Sequence, residues 1–117
     1  RDIEIARAIG NIDEVQAAEQ MTARIEEKRL LDERLDPTGS DAVAESAAAH
    51  GFVARTPAQI MLVQADDLAG EADPLNVPGT DREWPNWRRR VQVPVEQLPQ
   101  GPLARAIIDA VKQERDT

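Results

Sequence analysis

The 117 residues suffice for one small domain, which at this size buries roughly two-thirds of the surface its unfolded chain exposes. The 22 acidic against 14 basic residues leave a net charge of −8, a poor match to a phosphate backbone, and no apolar run is long enough to span a membrane. Cysteine is absent and His50 is the only histidine, which excludes disulfides, thiol catalysis, Cys-ligated metals and multi-His metal sites.

The aromatic residues are Phe52, Trp84 and Trp87 alone. A core of Ala, Leu, Ile and Val gains less per residue than one with buried rings, so modest stability is expected. The chain opens at Arg1 directly in a helical pattern, with neither an initiator Met nor a signal peptide. It reads as a piece of something larger, with a cytoplasmic location expected.

Residues 2–9 suit a short helix, with Asp2 as N-cap and Gly10 as stop. Asn11 and Glu14 have the spacing of a capping box, which opens a second helix over about 12–35. Its apolar stripe runs through Ala17, Met21, Ile25, Leu31 and Leu35. Pro37, Gly39 and Ser40 form a turn, and residues 41–50 make an Ala-rich third helix capped by Ser40 and ended by Gly51. His50 is then a helix-terminal residue, where a cation is favoured.

Thr56-Pro57-Ala58-Gln59 is a further start signal, with Thr as cap and Pro in the first turn. Four consecutive apolar residues follow, Ile60 to Val63, and such a run reads as a buried strand of a parallel sheet. Asp66 to Gly70 is one helical turn closed by glycine. Seven of the eight prolines fall between Pro57 and Pro102, so residues 71–101 are mostly loop. Pro102 opens a last helix to about residue 114, with a stripe of Leu103, Ala106, Ile107, Ala110 and Val111. One strand, a long loop and a helix make a single βα unit. A lone strand leaves its backbone groups unpaired, so partner strands must come from elsewhere.

Asn76-Val77-Pro78-Gly79-Thr80, followed by Pro85-Asn86-Trp87-Arg88-Arg89-Arg90, resembles the C-terminal signature of bacterial 4-α-glucanotransferases, the amylomaltases of glycoside hydrolase family 77. Phe52 to Pro57 and Leu62 to Leu68 resemble the same family's last barrel strand and the approach to it, so the likeness covers residues 50–113. It implies an α/β fold: a mostly helical C-terminal fragment of a (β/α)₈ TIM barrel. Residues 1–51 would be a helical region preceding the last strand, and residues 52–117 the last βα unit, with loop 71–101 on the face where barrel active sites form.

The resemblance implies transfer of α-1,4-glucan segments between maltooligosaccharides by a retaining double displacement, with no metal or organic cofactor. The catalytic carboxylates of the family lie upstream of the part matched here, so no catalytic residue is assigned and the fragment alone is expected to be inactive. Asn76 is the candidate substrate contact, because an amide offers sugar hydroxyls both a donor and an acceptor. The competing role for Asn76 is to cap the turn at Pro78-Gly79. Pro78, Gly79 and Thr80 are expected to shape the loop, and Trp87 to anchor it to the core, while Trp84 and Trp87 both have a face that sugar rings stack on.

Asp66 and Asp67 point about 100° apart in a helical turn and cannot flank one glycosidic bond. Arg88 to Arg90 are read as structural ion-pair partners, since a net charge of −8 argues against nucleic acid. The expected partner is a glucan, with no nucleic acid and no membrane. An orphaned strand would make the isolated chain self-associate. The alternative is a free-standing acidic helical module that binds a protein through the Ala17–Leu35 and Leu103–Val111 stripes.

Overall fold

A computed structural model describes residues 1–39 and 41–115. Among them are five α-helices: α1 (Asp2–Ala8), α2 (Glu14–Leu35), α3 (Ala42–Ala54), α4 (Ala65–Ala69) and α5 (Pro102–Arg115). A 3₁₀ turn spans Leu98–Gln100, and the described residues contain no strand. The chain forms two compact units, each discontinuous in sequence: Arg1–Leu30 with Ala72–Arg90, and Leu31–Glu71 with Val91–Thr117.

In the first unit, α1 buries Ile3 and Ile5, and α2 buries Ala17. Arg1, not Asp2, is the N-cap of α1. Asp2 is instead the first helical residue, and its carboxylate accepts both terminal nitrogens of Arg24 at 3.0 and 3.2 Å. Glycine at Gly10 takes φ +80°, which lets the chain turn out of α1. The capping box of α2 lies two residues later than Asn11 and Glu14 suggested. Gln16 N donates to Asp13 Oδ1 at 2.8 Å while Asp13 N donates to Gln16 Oε1 at 3.0 Å. Only the ends of the expected α2 stripe are covered. Ala17 and Leu35 are buried, whereas Met21, Ile25 and Leu31 are exposed. Asp36 closes α2 in the left-handed region at φ +44°, a conformation that aspartate tolerates, and Pro37 prevents continuation.

In the second unit, α5 packs along α3 and also meets α4 and the 3₁₀ turn. Of its stripe Ile107 is fully buried and the rest half-buried, and Ala104, outside the stripe, is fully buried as well. Asp41 caps α3 by accepting from Ala44 N at 2.7 Å, while the expected cap, Ser40, lies outside the described residues. Gly51 does not end α3. It is buried within the helix, where an added Cβ would lie 3.7 Å from Ala110 Cβ, so packing on α5 overrides the glycine's stop tendency. Thr56 closes α3 rather than opening a new element, its hydroxyl donating to Val53 O at 2.7 Å. Arg115 Nε donates to Ala54 O at 2.9 Å and Arg55 pairs with Glu114 at 3.0 Å, joining the ends of α3 and α5.

The strand expected over Ile60–Val63 is not formed. The segment is irregular, Ile60 and Leu62 are 79% and 85% exposed, and Met61 and Val63 are half-buried between them. This alternation is that of a strand, but a strand needs a neighbour to bond with and the described residues supply none. The short turn beyond it follows expectation as α4, closed by Gly70 at φ +71°.

Candidate functional site

The segment from Pro74 to Arg88 is a loop held by side chains rather than by a ladder. Pro78 and Gly79 occupy the two central positions of a turn whose Thr80 N donates to Val77 O at 3.3 Å. Proline followed by a glycine at φ +80° is the type II pattern, since the second central residue needs the left-handed region. Thr80 reinforces the turn, its hydroxyl donating to Val77 O at 2.7 Å.

Asn86 ties this turn to the rest of the loop. Its Oδ1 accepts from Val77 N at 2.8 Å, and its Nδ2 donates to Thr80 Oγ1 at 2.8 Å and to Thr80 O at 3.2 Å. Asn86 thus performs the turn-holding role considered for Asn76, and the spacing of the two motifs gave no sign of it. Trp84 adds a second tie: its indole N–H donates to Pro74 O at 3.1 Å from a half-buried position.

Trp87, expected to pin the loop to the barrel, is not buried against the described residues. Its ring is 72% exposed, and only its backbone N–H holds the loop, donating to Leu75 O at 2.9 Å. Its φ of +61° is unusual for a bulky residue, and such a conformation costs about 1–3 kcal/mol when the surroundings impose it. Its own bond to Leu75 O and the hydrogen bonds of the preceding Asn86 hold it there.

Asn76 is half-buried and lines a cleft of about 180 Å³ with Asp2, Ile5, Ala6, Pro74 and Val77. Its amide has no hydrogen-bond partner among the described residues, so donor and acceptor are both available. The electrostatics of this unit are dominated by exposed ion pairs. Arg1 Nε donates to Asp73 Oδ1 at 2.7 Å, and that bond holds the Asp73 carboxyl below its ordinary value, with the field of Arg89 adding to it. The Arg24 bond does the same for Asp2. Glu83 is lowered by accepting the backbone N–H of Asp81 at 2.8 Å.

The remaining candidates lie in the second unit. His50 sits inside α3, not at its end, because the helix continues to Ala54. Its Nδ1 lies 2.7 Å from Ser46 O, which accepts only, so Nδ1 carries a proton. The other ring nitrogen lies 3.5 Å from Asp67 Oδ2, an ion pair only when the ring is charged. Asp67 is therefore a neighbour of His50, and Asp66 shares its helical turn without facing it as a pair. No group of three His, Cys, Asp or Glu able to hold a metal occurs among the described residues, and no helix there is long and apolar enough to cross a membrane.

The sequence profile of a family described as 4-alpha-glucanotransferase matches residues 10–96. Proteins named 4-alpha-glucanotransferase from Mycobacterium bovis and Mycobacterium tuberculosis are 36% identical over 59 residues, a stretch covering 50% of this chain and 8% of each relative. No solved structure matches the chain.

Proposed function

The chain belongs to the 4-alpha-glucanotransferase family, and from that premise we propose that it is a piece of an enzyme moving α-1,4-glucan segments between maltooligosaccharides. The observation that carries this reading is the profile match over residues 10–96, which takes in Asn76–Thr80 and Pro85–Arg90. Those are the two segments that Asn86 staples into one loop.

The reaction proposed is a retaining double displacement: a carboxylate attacks the anomeric carbon, the departing 4-oxygen takes a proton, and a new 4-hydroxyl later displaces the carboxylate. The three carboxyl groups for this chemistry belong to the part of the enzyme outside this chain. Of the acids flanking the loop, Asp2 pairs with Arg24 and Asp73 with Arg1, and within it Glu83 accepts from Asp81 N. Asn76, with an uncommitted amide, is the residue proposed to meet sugar hydroxyls. Pro78, Gly79 and Thr80 set the loop that presents it.

In the whole enzyme, a cytoplasmic (β/α)₈ barrel in this reading, residues 52–117 are the last βα unit and residues 1–51 the helical region before it. Ile60–Val63 then becomes a strand by bonding to neighbours that the rest of the barrel supplies. Its alternation of exposed and half-buried side chains supports this assignment.

Maltotriose tests the reading. The longer protein that contains this chain converts two molecules of it into glucose and maltopentaose, whereas the 117-residue chain alone yields neither. Asn76→Ala in the longer protein raises KM. A longer protein that leaves maltotriose intact overturns the reading, and disproportionation by the chain alone overturns the placement of the carboxylates.

A further inference from the structure

We propose that the Trp87 indole is a stacking platform for a glucose ring of a bound glucan, an inference that rests on the glucan reading above for its choice of ligand. The two tryptophans of the chain are in opposite situations. Trp84 is half-buried with its N–H committed to Pro74 O, whereas Trp87 is 72% exposed in a chain that has few rings to spare for its core.

The exposure of Trp87 is held in place. A residue at φ +61° relaxes to negative φ unless its neighbours prevent it. Here the N–H of Trp87 is fixed to Leu75 O, and the preceding Asn86 makes its three bonds to Val77 and Thr80. A left-handed backbone retained at an outward-facing ring is the kind of local cost that binding sites retain.

The surroundings fit a sugar better than a protein core. Trp87 lines an open cleft with Asp81, Arg82, Trp84, Pro85, Asn86 and Arg88. A glucose unit presents an apolar C–H face and a rim of hydroxyls that both donate and accept. An indole in a cleft lined by the Asp81 carboxylate and the Arg82 and Arg88 guanidinium groups meets both requirements. A buried protein contact would call for apolar neighbours, whereas Asp81, Arg82 and Arg88 line this cleft. The bond to Leu75 O places the Trp87 backbone next to that of Asn76, although the two side chains line separate clefts.

With only two tryptophans, the ¹⁵N-labelled chain gives two indole N–H signals, and Trp87→Phe identifies them by removing one. Titration with maltoheptaose shifts the Trp87 signal saturably and leaves that of Trp84 in place, while the same concentration of sorbitol moves neither. In the longer protein, Trp87→Ala raises KM for maltotriose, and Trp87→Phe recovers most of the loss. A Trp87 signal unmoved by maltoheptaose, or a Trp87→Phe chain whose thermal midpoint falls because the ring was packed, overturns the platform. If that signal stays still while the longer protein disproportionates maltotriose, the transferase reading stands without the platform. If it shifts and no disproportionation occurs, the ring binds glucan and the transferase reading falls.

Discussion

Asn86 is bonded twice to Thr80, through the hydroxyl and the carbonyl, from one amide nitrogen. Its oxygen is spent on Val77 N, so one side chain closes a turn that lies six to nine residues earlier. Removing it leaves half-buried backbone groups without partners. Asn86→Ala is expected to lower the stability of its unit by about 2 kcal/mol, the sum of a few hydrogen bonds each worth about 0.5–1.5 kcal/mol net. Asn86→Asp is expected to do nearly as badly, since a carboxylate accepts from Val77 but meets the Thr80 carbonyl with a like charge. Urea unfolding gives the first quantity, and loss of hydrogen-exchange protection at the Val77 amide locates it.

Two glycines predict opposite results from the same substitution. Gly51 has ordinary helical geometry and room for a methyl group at 3.7 Å from Ala110 Cβ. Gly51→Ala is therefore expected to stabilise α3 by up to about 1 kcal/mol, the helix-propensity difference. Gly70 sits at φ +71°, and a Cβ there comes within 3.2 Å of Leu103 Cδ2. Gly70→Ala is expected to destabilise by about 1–2 kcal/mol through the left-handed backbone alone. Thermal midpoints of the two variants should move in opposite directions.

The core of the second unit is small enough for one side chain to matter. Ile107 is fully buried on α5 against α3 and α4. Ile107→Ala is expected to cost about 2–5 kcal/mol and Ile107→Val about 0.5–1.5 kcal/mol. Circular dichroism during denaturation should show the alanine variant losing cooperative unfolding and the valine variant keeping it. Equal effects would mean that α5 is not packed as described.

Acid should loosen the first unit through Asp2 and Asp73. Both carboxyls are held below their ordinary value of 3.8 by arginine hydrogen bonds, Arg24 for Asp2 and Arg1 for Asp73. A depressed folded-state pKa means the pairs stabilise fully above that ordinary value, and the contribution is lost as pH falls through the lowered one. The effect is modest because all four side chains are exposed to solvent. NMR titration of the two carboxyls should give midpoints below 3.8, returning toward it in about 1 M NaCl, where the screening length is about 3 Å.

Helices were legible in this sequence wherever a local signal decided them. Gly10, Pro37, Gly70 and Pro102 mark ends that the structure keeps, and the α5 stripe includes Ile107, which is fully buried, but not Ala104, which is too. What failed had its cause elsewhere in the chain. Gly51 reads as a stop until Ala110 of α5 is set against it, and Asn86 reads as part of a motif until Val77 and Thr80 are brought beside it. Ile60–Val63 reads as a strand on composition, yet strand formation is a property of two partners, and the described residues supply no second one. Trp87 reads as an anchor to the barrel because it stands inside the family motif, and its exposure in this chain was not legible there. Its left-handed backbone was equally invisible in the sequence.

The open stretch from Ala58 to Val63 also sets how long this chain lasts among proteases. A protease cleft holds its substrate extended, through backbone N–H and C=O groups, with alternate side chains filling its subsites. Ile60 and Leu62, exposed on an irregular segment that no described strand pairs with, already meet those terms without local unfolding. Thermolysin should therefore cut first beside Ile60 and Leu62, well before it opens α3 or α5. Where the rest of the longer protein covers the stretch, the same bonds should survive.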